Sequence, residues 1–107
     1  MRICYIAHPI GGNVQENLAD LRRIIRKINL SFDDVVPFVP YYADVVSLND
    51  DVPAERARGI KNDHAVLETG IVREIWLTGP HISNGMKAEN ELAERLGIVV
   101  RDFIGVF

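Results

Sequence analysis

The feature that most constrains this chain is an alternation of two patterns along its length. Short apolar, β-prone runs at Arg2 to Ala7, Asp33 to Val39, Ile71 to Thr78 and Ile98 to Val100 are separated by longer segments with helical spacing. Strands that alternate with helices predict right-handed crossovers and a mainly parallel sheet covered on both faces. At 107 residues the chain holds one core and has no room for a second domain. The expected fold over residues 1–107 is therefore a single-domain, three-layer α/β/α sandwich, flavodoxin-like or Rossmann-like, with a sheet of four to five strands.

Local signals punctuate the pattern. His8-Pro9 and Gly11-Gly12 stop the first strand, and Asn13 with Glu16 three residues on resembles an N-cap with its capping-box partner. Val14, Leu18, Leu21, Ile25 and Ile28 then keep helical spacing to about Asn29. Pro37 inside the second strand predicts an edge position or a bulge. Pro40 to Pro53 reads as a long loop carrying Tyr41-Tyr42, Asp44, Asn49, Asp50 and Asp51. A second helix opens at Pro53 or Ala54, places Ala57, Ile60, His64 and Leu67 on one face, and ends at Gly70. The third helix follows Gly79 to Gly85, aligns Met86, Glu89, Ala93 and Leu96, and ends at Gly97, a C-cap glycine. Phe103 to Phe107 is a short apolar tail.

Composition narrows the function. The chain is 48% hydrophobic and 25% charged, as in an ordinary soluble globular protein. Its net charge is −3, and no basic run exceeds Arg22-Arg23, so a nucleic-acid polymer is not an expected partner, while single nucleotides remain open. The lone Cys4 cannot form an internal disulfide, which fits a reducing cytoplasm. The first residues hold too short an apolar stretch for a signal peptide or membrane span, so a soluble, cytoplasmic protein is expected. His8, His64 and His81 show no metal-ligand spacing, and no metal or other cofactor is expected. Neither a P-loop nor a Gly-x-Ser-x-Gly elbow is present.

In parallel α/β folds ligands bind beyond the carboxyl ends of the strands. Those ends are the segments His8 to Asn13, Pro40 to Pro53 and Gly79 to Gly85. Gly11-Gly12-Asn13 ahead of a helix is either a backbone cradle for phosphate or a plain turn. Glu89 is more informative, because it places a carboxylate on an otherwise apolar helical stripe, in what reads as the first turn. The pattern alone also suits a half-exposed residue paired with Lys87 or Arg95.

Two stretches resemble a known family. Tyr5-Ile6-Ala7-His8-Pro9 is similar to the Tyr-x-Ala-x-Pro opening of the nucleoside 2-deoxyribosyltransferases. Those enzymes and the related 2'-deoxynucleoside 5'-phosphate N-hydrolases share Ser/Asp-x-Gly-Met/Val-x-x-Glu followed by Ala four residues later. Here that segment is Ser83-Asn84-Gly85-Met86-Lys87-Ala88-Glu89 with Ala93, and the order of elements also agrees. The resemblance implies that Glu89 is a nucleophile attacking C1' of a deoxyribose, that Tyr5 orients it, and that Asp63 is an acid contacting the leaving base. It implies substrate-binding places for Ser83, Gly85 and Met86, and for Pro9, Gly11 and Asn13 after the first strand. The implied partners are a small-molecule nucleoside or nucleotide and further copies of the chain, in a homodimer or larger homo-oligomer.

The chain departs from that family at two points. Where the family carries an Asp just before the third strand, this sequence has Arg73. Family members also extend further and send a C-terminal polar residue into a neighbour's site, a part that is either absent here or taken by another residue such as Asp102. The leading expectation is an enzyme that cleaves or transfers at the N-glycosidic bond through a glutamyl-deoxyribose ester. The alternatives are an inactive nucleotide-binding module of the same fold, and an interaction protein docking through Tyr41-Tyr42.

Overall fold

The computed structural model describes residues 1–107. Strands β1 (Arg2–Ala7), β2 (Val35–Phe38), β3 (Glu74–Leu77) and β4 (Val99–Asp102) form one sheet in the order β2-β1-β3-β4. Every pairing is parallel. The helices are α1 (Val14–Ser31), α2 (Tyr41–Ser47), α3 (Pro53–Glu68) and α4 (Asn84–Leu96). Right-handed crossovers put α1 on one face and α2 to α4 on the other. The packing agrees, since α3 touches α2 and α4 while Phe32, just after α1, meets Trp76 edge-on from the other side. The fold is the expected α/β sandwich, with four strands. No helix is long and apolar enough to cross a membrane.

Local chemistry accounts for most boundaries. Asn13 caps α1 by accepting from the Glu16 amide, and Leu18, Leu21, Ile24 and Ile28 form its buried stripe. Pro37 lies in β2, an edge strand, where its missing N–H costs no second ladder. Ser83 caps α4 by accepting from the Met86 amide at 3.2 Å, and Gly97 ends it with φ +74°, a left-handed C-cap that glycine adopts without strain.

Three expectations need correction. The segment read as a loop from Pro40 to Pro53 contains α2. Its residues are aromatic and β-branched, poor helix formers, but Tyr41 is buried and its hydroxyl donates to the Ile6 carbonyl at 2.6 Å. That tertiary bond outweighs propensity. On α4 the buried stripe is Met86, Leu92 and Ala93, whereas Leu96 is 44% exposed. Because α4 starts at Asn84, Glu89 falls in its second turn rather than its first, beyond most of the helix-dipole effect.

The far end of the sheet holds a charge cluster that local pattern does not reveal. Glu74 is buried and pairs with Arg2 of β1 and Arg101 of β4, while Trp76 Nε1 donates to it at 3.3 Å. Burial raises the Glu74 pKa, but hydrogen bonds from Arg101, Trp76 and Arg2 outweigh that, and the net shift is downward. One carboxylate thus ties three adjacent strands. Arg73 beside it is exposed, with its backbone N–H on the Ile3 carbonyl, and its side chain lies at the strand end away from the ligand edge. On the same face as α1, Trp76 packs against Phe103 and Phe107 of the tail, with centroids 4.7 and 6.2 Å away.

Glu74→Gln is expected to lower unfolding free energy by about 1–3 kcal/mol, because the charge-assisted bonds to Arg2 and Arg101 are lost, an effect limited by the half-exposed arginines regaining solvent. Its folded pKa lies below the ordinary 4.5, so its contribution is present above that pH and fades as pH falls through the folded value. Urea unfolding across pH 7 to about 3 checks this, with that acid-linked loss reduced in the variant.

Candidate functional site

A cavity of about 610 Å³ opens at the carboxyl ends of β1 and β3, where the strand order reverses. The β1–α1 loop forms one wall with His8, Pro9, Ile10, Gly11 and Gly12, and the start of α4 forms another from Ser83 to Glu89. The third wall is α3, which contributes Glu55, Arg56, Gly59, Ile60, Asp63 and His64, with Asp44 from α2 and Asp50 from the following turn. This explains why the face of α3 read as apolar leaves Ile60 43% exposed: it borders a cavity, and only Leu67 of α3 is buried.

The floor is set by close backbone contact. Gly79 has φ +91°, and a Cβ there would come within 2.9 Å of Pro9 Cδ and 3.0 Å of the His8 ring. His8 is buried, with Nδ1 2.6 Å from the Pro9 carbonyl and Nε2 2.8 Å from Asp20 Oδ2. Asp20 also accepts from Arg23, whose Nη2 donates to the Phe107 carbonyl at 2.9 Å. The loop is therefore braced from behind through α1 to the C-terminal tail.

Glu89 makes no ion pair with Lys87 or Arg95. It is half-buried, and its Oε2 is sealed from solvent without a hydrogen-bond partner, as is Asp63 Oδ1. Burial raises the Glu89 carboxyl to about 7, with the Tyr5 hydroxyl pulling the other way. Asp63 rises to about 8, through burial first and then the charges of Glu89 and Asp44. Two carboxyl groups in one cavity that disfavour joint ionisation hold a proton between them near neutrality. Tyr5 lies behind the cavity lining, fully buried, and feels both carboxylates; its Oη closes no hydrogen bond of normal geometry. Burial and the charges of Glu89 and Asp63 raise the Tyr5 and Tyr41 pKa values, so both remain neutral donors.

The residues singled out in the sequence divide as follows. Glu89 and Asp63 share the cavity, and Pro9, Gly11, Ser83, Gly85 and Met86 line it. Ser83 spends its lone pair on the Met86 amide and retains a hydroxyl proton to donate. Asn13 is outside the lining, and its side chain is engaged at both ends by Glu16. Asp102 accepts from the Ile104 amide and lines no part of this cavity. Sequence reading missed Asp44, whose two oxygens each lie 3.3 Å from Asn62 Nδ2, as well as Asp50 and the His8–Asp20 pair. Only the general signal of polar residues at a strand's carboxyl end pointed to them. No cluster of three His, Cys, Asp or Glu side chains is arranged to hold a metal ion.

Both carboxyls bind protons that the unfolded chain has released between about pH 4.5 and 8, so folding stability falls as pH rises through that window. Glu89→Gln and Asp63→Asn are each expected to be more stable than wild type at pH 9 by on the order of 1 kcal/mol, a figure discounted for the cavity's access to solvent. Thermal melts at pH 9 and pH 4 check this, with the gain vanishing at pH 4.

No curated protein matches the chain. The sequence profile of a domain of unknown function, DUF7768, matches residues 2–103, and the chain belongs to that family.

Proposed function

We propose that the protein is an enzyme acting on the N-glycosidic bond of a 2'-deoxynucleoside or its monophosphate, with Glu89 as nucleophile and Asp63 as general acid. The observation that carries this reading is the pair of carboxyl groups in one cavity, each with a buried oxygen that has no hydrogen-bond partner and each raised by burial toward neutrality. Such a pair retains one proton near neutrality, which leaves one group as an anion and the other as an acid, and the Glu89 charge favours the proton on Asp63. A nucleophile and an acid in the same site need that single proton.

The steps follow from those states. The Glu89 carboxylate attacks C1' as the C1'–N bond breaks, and the bond's electron pair leaves on the base nitrogen, which takes the Asp63 proton. The resulting ester is opened by water or by a nitrogen of a second base, which gives a proton back to Asp63 and restores the Glu89 carboxylate. The anionic wall stabilises the positive charge that develops on the sugar ring. Tyr5, whose hydroxyl lowers the Glu89 pKa, and Ser83 in the cavity lining supply hydroxyl donors. The resemblance of the Tyr5–Pro9 and Ser83–Glu89 segments to deoxyribosyltransferases supports the same roles. It also carries the proposal of a homo-oligomer, while the lone Cys4 supports placing the protein in the cytoplasm.

Glu89→Gln is expected to reduce release of free base from deoxynucleosides and their monophosphates by more than about 10³-fold. Wild-type kcat/KM is expected to peak in a narrow band between about pH 7 and pH 8, with limbs belonging to the pair rather than to either residue. Chromatographic assay of base release across pH checks both. Binding of these compounds without release would instead support the non-catalytic module.

A further inference from the structure

We infer that the site selects by charge, admitting an uncharged deoxynucleoside and rejecting its 5'-phosphate, with Asp50 as the specificity-determining residue. This rests on the deoxynucleoside reading above and deepens it. The loop Gly11-Gly12-Asn13 is a glycine-rich stretch ahead of a helix, where backbone N–H groups can cradle a phosphate. In the folded chain that place is bordered by acceptors. Asp50 Oδ2 stands over Gly11, 3.7 Å from where a Cβ would be. At the entrance to α1 the Glu16 amide is used by Asn13 Oδ1, and the Glu16 carboxylate accepts from Asn13 Nδ2 at 2.7 Å. The Asn17 side chain holds the Ile10 and Gly11 carbonyls. A phosphate seated at this loop would face the Asp50 and Glu16 carboxylates, and of the first-turn amides of α1 that of Glu16 is already engaged.

The rest of the wall points the same way. Apart from Glu89 and Asp63, the cavity is lined by Asp44, Asp50 and Glu55, against Arg56 as its one lysine or arginine. Arg56 is exposed at the rim. Even with both reacting carboxyls protonated, the lining carries more formal negative than positive charge, and a phosphate would add like charge in a partly desolvated space. A neutral nucleoside meets no such repulsion, and its hydroxyl groups are donors suited to an acceptor-rich wall.

The test compares 2'-deoxyadenosine, 2'-deoxyguanosine, 2'-deoxycytidine and thymidine with their 5'-monophosphates, in wild type and in Asp50→Asn. Base release gives kcat/KM, and calorimetric titration of Glu89→Gln gives binding without turnover. For the preferred base, the nucleoside is expected to be favoured over its monophosphate by roughly tenfold or more at low salt. The ratio should shrink severalfold in Asp50→Asn and again on raising salt, because both weaken the repulsion. A monophosphate used or bound as well as its nucleoside overturns the inference while leaving the glycosidic reading intact. A ratio unmoved by Asp50→Asn overturns the role of Asp50. Nucleoside binding without base release upholds charge selection and removes the enzymatic reading. If none of the eight compounds is bound or cleaved, both fall together.

Discussion

The site exists because two neighbouring strands send their helices to opposite faces. β1 and β3 lie side by side, yet α1 leaves one end of that pair on one face and α4 leaves it on the other. No side chain can fill the gap between diverging helices from both sides, so a crevice opens at their carboxyl ends. α3 cannot close it against the sheet either, because it packs on α2 and α4 and turns its remaining face to the gap. Glu89, Asp63 and the β1–α1 loop meet there as a consequence of topology.

Two glutamates show how differently one fold treats the same side chain. Glu74 is buried among Arg2, Arg101 and the Trp76 indole, and its pKa falls. Glu89 has a sealed oxygen with no partner, and its pKa rises. The first arrangement stabilises the folded state by satisfying the charge. The second costs stability by leaving it unsatisfied, and Tyr5 Oη, Asp63 Oδ1 and Asn90 Oδ1 are buried in the same condition. Of these, Glu89 and Asp63 line the cavity and Tyr5 lies behind it, whereas Glu74 at the opposite end of the sheet is fully paired.

What could be read from the sequence was whatever local pattern encodes. The strand–helix alternation, the Asn13 cap, the Gly97 terminator and the edge placement of Pro37 each depend on a few adjacent residues, and all appear in the structure. The segments around Tyr5 and Glu89 meet at one cavity, with Asp63 in its lining. Features that depend on distant contacts were hidden. Tyr41 finds its acceptor 35 residues away, and without that bond the aromatic and β-branched run of α2 looks like loop. Glu74 has partners 72 and 27 residues away, so its isolated position beside Arg73 carried no signal. Asp50 over Gly11 is a contact between two loops that no periodicity predicts. Leu92 and Leu96 are both apolar, and only the packing of α4 decides which is buried.

The account turns on two carboxyl groups that retain protons near neutrality, and that property can be measured without any substrate. Carbon-13 NMR of selectively labelled glutamate and aspartate side chains, assigned with Glu89→Gln and Asp63→Asn, would follow both groups through a pH titration. The predicted result is two coupled transitions near 7 and 8, each shifted when the other residue is replaced. Two independent transitions at the ordinary carboxyl values of 4.5 and 3.8 would contradict the account.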